Sequence, residues 1–486
     1  MTVVKRELIV GSDGKFSTFI LTDSSLVVKR VGDNEWPVIE TSLRHVLWAG
    51  LDGDTFEVSA LMRRNKKAAL TLVHIIGKVE DKDRDAVLSF TTSLTDAAYL
   101  GLKKQRKLKV LVNPHSGPGK AVSQYHRKVE PIFRAARCNI DLTFTTRAKH
   151  ASDLMKDLPL DQYDAIVAMS GDGLIHEILN GFAAHAEPGK AFDIPITPIP
   201  TGSGNGLALN LLGIEDGRDI SAAALNAIKG HPMKIDLFSV TQKDQRYLSF
   251  MSQTLGLMAD ADLGTEYLRF MGSNRFIVGF LNGVLKMKHC PVKLSIKVSE
   301  SDKKKMVRDL HASRSKAQAQ HGPASDQDIE QAASGSSRSA STSLPPLKYA
   351  AMDSEGWITF EKPMLYLYAG KGPYVSRDFM QFPVSTPNDG LIDVIAQSPS
   401  TRGELLKAMD GAEKGEPFWL DSQHYFKAHA YRIEPHSSEG LLAIDGEAYP
   451  FEAYQVEVHQ GLATLLSPYG YYQADFNLPG ETSKAR

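Results

Sequence analysis

The 486-residue chain reads as an α/β plus β protein in three parts: an N-terminal β domain, a parallel-sheet α/β domain and a largely antiparallel β-sandwich. Three observations predict this. Short β-branched and aromatic runs, cut by Gly, Asp and Asn, fill residues 1–103. Apolar strands and helical patterns then alternate, the grammar of a parallel sheet covered on both faces. From Lys234 onward strands dominate again.

In residues 1–103, strands are expected over Phe16–Leu21, Ser25–Val31, Leu47–Leu51, Thr55–Ala60 and Ala68–Ile76. A helix over Asp83–Leu102 follows, because Val87, Phe90, Leu94, Ala98 and Leu102 recur at helical spacing. Antiparallel strands closed by one C-terminal helix resemble a pleckstrin-homology (PH)-like domain. The cluster Arg63, Arg64, Lys66 and Lys67 falls between two strands, as either a solvated basic loop or a contact for anionic head groups.

Residues 104–233 form the α/β part. Strands are expected over Leu108–Asn113, Ile140–Thr145, Ala165–Met169 and Pro195–Ile199. Helices are expected over Ala121–Ala136, Ala151–Leu158, Leu174–Ala183 and Asn205–Leu212. In residues 234–470 the expected strands are Lys293–Val298, Trp357–Phe360, Met364–Tyr368, Leu391–Ala396, Tyr431–Glu434, Gly440–Ala443 and Tyr454–Val458. Helical patterns interrupt them at Gly256–Met287, in pieces, and at Arg402–Glu413. Between Ala312 and Leu344 the only large aliphatic residues are Ile329 and Leu344, so residues 312–344 are expected to be a disordered insertion. Residues 471–486 read as a tail.

Composition narrows the function. A formal net charge of −1 lacks the basic excess of a dedicated nucleic-acid binder, so no nucleic acid is expected as a partner. Two cysteines, Cys138 and Cys290, exclude a disulfide scaffold and point to the reducing cytoplasm. The start lacks a secretory apolar core. No run reaches the roughly 18–20 apolar residues that span a bilayer, so any membrane contact is peripheral.

Three strands of the α/β part each end in a glycine-dense loop that opens a helix. These are Asn113-Pro114-His115-Ser116-Gly117-Pro118-Gly119-Lys120, Ser170-Gly171-Asp172-Gly173 and Thr201-Gly202-Ser203-Gly204-Asn205-Gly206. Glycine admits a ligand close to the backbone, and a helix N-terminus offers free N–H groups to an anion. Loops at the carboxyl ends of parallel strands share one sheet edge, so three of them suit a polyphosphate. A Walker A loop does not fit, because Pro114 stands where its first glycine belongs. The dinucleotide fingerprint fails at Leu207, and His176-Glu177 is no zinc motif because Asn180 occupies the second histidine position.

Leu111-Val112-Asn113-Pro114, Ser170-Gly171-Asp172-Gly173 and Gly202-Ser203-Gly204-Asn205, in that order, resemble the signature blocks of the lipid kinases that include diacylglycerol, ceramide and sphingosine kinases. The resemblance is closest to sphingoid-base kinases. Met169–Glu177, Gly256–Leu263 with Arg269 and Arg275, and Ala443-Ile444-Asp445-Gly446-Glu447 carry it. It covers Lys107–Pro468 apart from the insertion, and makes residues 104–233 the nucleotide-binding part and residues 234–470 the lipid-binding part.

The resemblance implies ATP and Mg²⁺ as cofactors and phosphorylation of the primary hydroxyl of a sphingoid base. Asp172 resembles the catalytic carboxylate; as an alternative that is compatible with catalysis, it caps its helix. Asn113, His115, Thr145, Ser170, Gly171, Gly173, Gly202, Ser203, Gly204 and Asn205 resemble nucleotide contacts. Arg269 and Arg275 resemble phosphate clamps, Glu447 a nucleotide contact from the lipid-binding part, and Asp445 a Mg²⁺ ligand. Asp262 matches the head-group position, where a carboxylate suits the primary ammonium of the base; Asp260 is the lesser candidate. Phe270–Leu285 reads equally as a wall for the alkyl chain or as a core helix. His115 and Pro118 depart from the usual pattern and leave the first loop with less fixed positive charge. The alternatives are a ceramide or diacylglycerol kinase, or a non-catalytic lipid-binding protein. A membrane surface and a second copy of the chain are the partners expected beside the lipid.

Overall fold

A computed structural model describes residues 4–12, 15–30, 38–271, 274–320, 343–349 and 355–480. Its first sheet is seven-stranded and antiparallel, in the order Ile39–Ser42, Ser25–Arg30, Lys15–Thr22, Val4–Ser12, Thr71–Lys78, Thr55–Met62, Val46–Asp52. The helix Arg84–Ala98 covers it, burying Val87, Phe90, Leu94 and Ala98. Two of these strands were not anticipated. In Val4–Ser12 the period-2 signal is short, with Leu8 and Val10 buried between exposed Glu7 and Ile9. Ile39–Ser42 has only four residues. Val31, the expected end of one strand, lies outside the described residues.

The second sheet is fifteen-stranded and mixed. Its parallel part runs Ile196–Pro200, Ala165–Ser170, Lys107–Val112, Asn139–Phe144. Ala165–Ser170 is buried at every position, as a strand covered on both faces must be. Tyr454–Ser467 is the seam. It pairs parallel with Ile196–Pro200, at Ile196 and Leu465, and antiparallel with His231–Gln242 and Gln423–Pro435. The two halves read from the sequence are therefore one continuous mixed sheet.

The helix Ile220–Lys229 was missed for a physical reason. All ten of its residues are buried, so it shows no polar face to define an amphipathic stripe. Its last residue reaches into the N-terminal sheet, where the Lys229 ammonium donates to the carbonyls of Leu43 (3.1 Å), Ala98 (2.9 Å) and Val46. Arg63, from the basic cluster, is paired with Asp216 at 2.5 Å. One apolar core runs from Leu8 and Phe56 through to Val110 and Ile166, so the N-terminal sheet is packed on the parallel sheet.

The expected disordered insertion needs correction at both ends. Residues 312–320 are the second half of a helix, Lys303–Gln320, anchored by buried Met306, Val307 and Leu310. Its Ala, Gln, Lys and Arg residues are strong helix formers, so composition alone misled. Leu344 packs against the main core. Residues 321–342, with Ile329, lie outside the described residues. The tail begins later than expected, since Tyr471, Tyr472 and Phe476 are buried and Phe476 stacks on Trp419.

Candidate active site

The strands Lys107–Val112, Ala165–Ser170 and Ile196–Pro200 are neighbours, so their carboxyl ends bring the three glycine loops to one edge. The loops touch backbone to backbone. A Cβ on Gly202 would lie 2.4 Å from Cα of Gly171, and one on Gly117 would lie 2.4 Å from the carbonyl oxygen of Thr201. No side chain fits at either position. Short polar bonds fix the loop shapes: Asn113 Oδ1 accepts from the His115 amide at 3.0 Å. Asn205 both accepts from the Gly202 amide (3.1 Å) and donates to its carbonyl (2.7 Å).

Asp172 opens the helix Asp172–Ala183, whose N-cap is Gly171. Its carboxylate caps a different helix from the one expected. It accepts from the amides of Gly206 (2.7 Å) and Leu207 (3.2 Å), the first residues of Gly206–Asp216. Burial raises its pKa to about 6; the two amides oppose this and the charge of Asp445 adds to it.

Asp445 is the point where three segments meet. Its backbone is left-handed (φ +50°) in the turn between Leu442–Ile444 and Glu447–Tyr449. One carboxylate oxygen accepts from the Ser249 hydroxyl (2.8 Å) and the amides of Met251 (3.0 Å) and Ser252 (2.9 Å). The other accepts from His176 Nδ1 (2.8 Å) and the Phe250 amide (3.2 Å). Burial works to lower the His176 pKa, but the bond to Asp445 and the charges of Asp445, Glu447 and Glu177 together outweigh it, and the net shift is upward. With five donors on it, Asp445 fits an internal anchor better than the Mg²⁺ ligand expected from the sequence. The same turn carries Glu447 toward the first helix: a Cβ on Gly173 would lie 3.4 Å from Glu447 Oε1.

These groups line one cavity of about 1250 Å³. Of the residues singled out in the sequence, Asn113, His115, Ser170, Gly171, Asp172, Gly173, Gly202, Ser203, Gly204, Asn205, Asp262, Arg275, Asp445 and Glu447 all line it. Thr145 does not; it is buried just beyond the edge strand Asn139–Phe144. Arg269 lies in the turn Leu263–Met271, and its side chain is outside the described ones. Sequence reasoning missed Arg218, an exposed cation lining the cavity with the phosphate loops. Asp260 does not line the cavity, and its charged neighbours are Lys288 and Lys286. Away from the loops the walls turn apolar, with Met258, Ile277, Phe280, Leu405, Met409 and Pro417.

Asp262 does not meet the cavity alone. Arg275 Nη2 donates to its Oδ1 at 3.0 Å, and Nη1 donates to its carbonyl at 2.6 Å and to Thr265 Oγ1 at 3.3 Å. The sequence had placed these two residues on different ligands.

Among known proteins, the family model for the diacylglycerol kinase catalytic domain matches residues 107–240. A crystal structure from Bacillus anthracis, described as a diacylglycerol kinase, aligns over 75% of this chain and 98% of its own, with a TM-score of 0.50 and 18% identity. Fold and site thus define an ATP-dependent lipid kinase built around a diacylglycerol-kinase-like catalytic domain. The full-length relatives are more specific. Sphingoid long chain base kinase 4 of Schizosaccharomyces pombe is 31% identical over 434 residues, 88% of each chain. Sphingosine kinase 1 of Arabidopsis thaliana is 26% identical, over 76% of this chain and 77% of its own. Human sphingosine kinase 1 is 26% identical, over 75% of this chain and 92% of its own. The chain belongs to the sphingoid long-chain base kinase family.

Proposed function

We propose that this protein transfers the γ-phosphate of ATP to the primary hydroxyl of a sphingoid long-chain base (sphingosine, sphinganine or phytosphingosine), giving the 1-phosphate. The observation that carries the reading is one cavity holding, in continuity, three phosphate-type loops, the carboxylates Asp172, Glu447 and Asp262, and an apolar end.

ATP lies along the loops, with their backbone N–H groups and the start of the helix at Asp172 facing its phosphates. Asp172, at the confluence of the second and third loops, orients the acceptor hydroxyl and takes its proton as the new P–O bond forms. Asn113, His115, Ser170 and Ser203 contact the nucleotide, and Glu447 reaches it from the facing hairpin. Thr145 shapes the loop edge from behind. Asp172 and Glu447 would hold Mg²⁺, which when bound would neutralise charge on the transferring group. Arg275 adds positive charge there.

Asp262 receives the ammonium of the base, and the apolar walls take its chain. The helix Asn274–Lys286 supports delivery from a membrane surface, because Ile277, Val278, Leu281 and Leu285 are exposed on it while Phe280 lines the cavity. Among the described residues no helix is long and apolar enough to cross a membrane. The PH-like reading of residues 1–103, the sandwich reading of residues 234–470, the cytoplasmic location and the homodimer belong to the same proposal.

Asp262→Asn tests the head-group assignment. Losing a desolvated charge-assisted bond costs about 1.5–3 kcal/mol, so kcat/KM for sphingosine is expected to fall about tenfold to a hundredfold. The preference for sphingosine over ceramide, whose nitrogen is acylated, narrows at the same time. If Asp262 only braces Arg275, both lipids lose equally and the melting temperature drops; that outcome removes the assignment.

A further inference from the structure

The two members of the Asp262–Arg275 pair have opposite appetites, and the cavity is to hold one ligand for each. A polyphosphate is complementary to the guanidinium, and a primary ammonium is complementary to the carboxylate. Here they satisfy one another, with side chains only 25% and 9% exposed. Separating such a pair leaves a poorly solvated charge behind, which is costly unless a new partner takes its place.

Arg275 is built to exchange partners without losing its position. Its guanidinium stacks on Phe276 at 4.2 Å, and Nη1 donates to the Asp262 carbonyl and Thr265, contacts separate from the Nη2 bond to the carboxylate. Among the described residues its buried Nε has no hydrogen-bond partner, so a donor is already in reserve. The phosphate end is close. A Cβ on Gly446 would lie 4.0 Å from Asp262 Oδ2, and the next residue, Glu447, approaches Gly173 beside Asp172. One hairpin turn therefore separates the pair from the loops.

We propose that the Asp262–Arg275 pair is an exchange lock coupling the two substrates: nucleotide phosphates draw Arg275 Nη2 off Asp262, and the released carboxylate takes the ammonium of the base. The inference rests on the phosphotransfer reading above. Linkage makes the effect mutual, so the base tightens ATP by the same factor as ATP tightens the base.

Calorimetric titration of the full chain with sphingosine in detergent micelles, with and without Mg²⁺ and a non-hydrolysable ATP analogue, tests it. In the wild type the analogue should tighten sphingosine about 5- to 50-fold, within the usual range of such couplings. Arg275→Met keeps the length and removes the cation. It should bind sphingosine without nucleotide as tightly as the wild type does with it, and lose the response to the analogue. Arg275→Lys, a point charge without the fork, should give a smaller coupling and serves if the Met variant folds poorly. An unchanged wild-type affinity on adding the analogue, or weaker sphingosine binding in both variants, overturns the lock. Asp262→Asn separates the underlying reading: if, with the analogue present, it binds sphingosine as the wild type does, the ammonium site itself is wrong.

Discussion

Asp172→Asn is expected to lower kcat about 10²–10⁴-fold while ATP still binds, the usual worth of a positioned proton acceptor. The carboxylate stands at the start of one helix and caps the next, with amides at 2.7 and 3.2 Å. The Asn amide keeps one acceptor oxygen for those two donors and turns its NH₂ group toward the other. The cap loss costs about 0.5–2 kcal/mol, too little to unfold the chain. Kinetics and stability therefore separate. The wild type carries a second signature of the same group. Burial holds the Asp172 pKa near 6, and only the ionised form can accept the proton. In the free enzyme, kcat/KM should be full above that value and fall as pH drops through it. Wild-type turnover in a folded Asp172→Asn variant would take this residue out of the mechanism.

Asp445→Asn is expected to destabilise the protein by about 3–5 kcal/mol, the scale of breaking a buried pair by removing one charge. Asn tolerates the left-handed backbone at this turn, so the substitution isolates the lost acceptors from backbone strain. Three amides, the Ser249 hydroxyl and His176 then compete for a single oxygen. The hairpin bearing Glu447 loosens from the helix bearing Asp172, so activity falls along with the melting temperature. The alternative role, as a Mg²⁺ ligand, predicts an unchanged melting temperature and recovery of activity at high Mg²⁺. Thermal denaturation and a Mg²⁺ titration of the variant distinguish them.

The parts legible in the sequence were those whose signal is local. Each strand, glycine loop and helix of the parallel sheet is contiguous, and glycine stands where two backbones nearly touch, as at Gly171 and Gly202. Such positions leave a mark on the sequence itself. Partners from distant segments leave none. The donors that saturate Asp445 come from residues 176 and 249–252, so its acidic side chain resembled a metal ligand. Arg275 and Asp262 share a cavity with both ligands, and nothing in their spacing shows that they bond to each other. Lys229 likewise bears no mark of its partners, three carbonyls of the N-terminal sheet and its helix that enclose it. The strand Tyr454–Ser467 was read only to Val458, because the residues beyond it continue into the parallel sheet and break the alternation of a one-sided strand.

The central claim is that this cavity transfers phosphate to a long-chain lipid selected by a cationic head. Transfer of labelled phosphate from ATP to sphinganine, sphingosine, phytosphingosine, ceramide and diacylglycerol, each dispersed in the same detergent with the full chain and Mg²⁺, tests it most directly. Labelled 1-phosphates of the three free bases, with ceramide and diacylglycerol far behind, are the predicted result. Preferred labelling of ceramide or diacylglycerol, or no transfer to any of the five by folded protein that binds ATP, would contradict it.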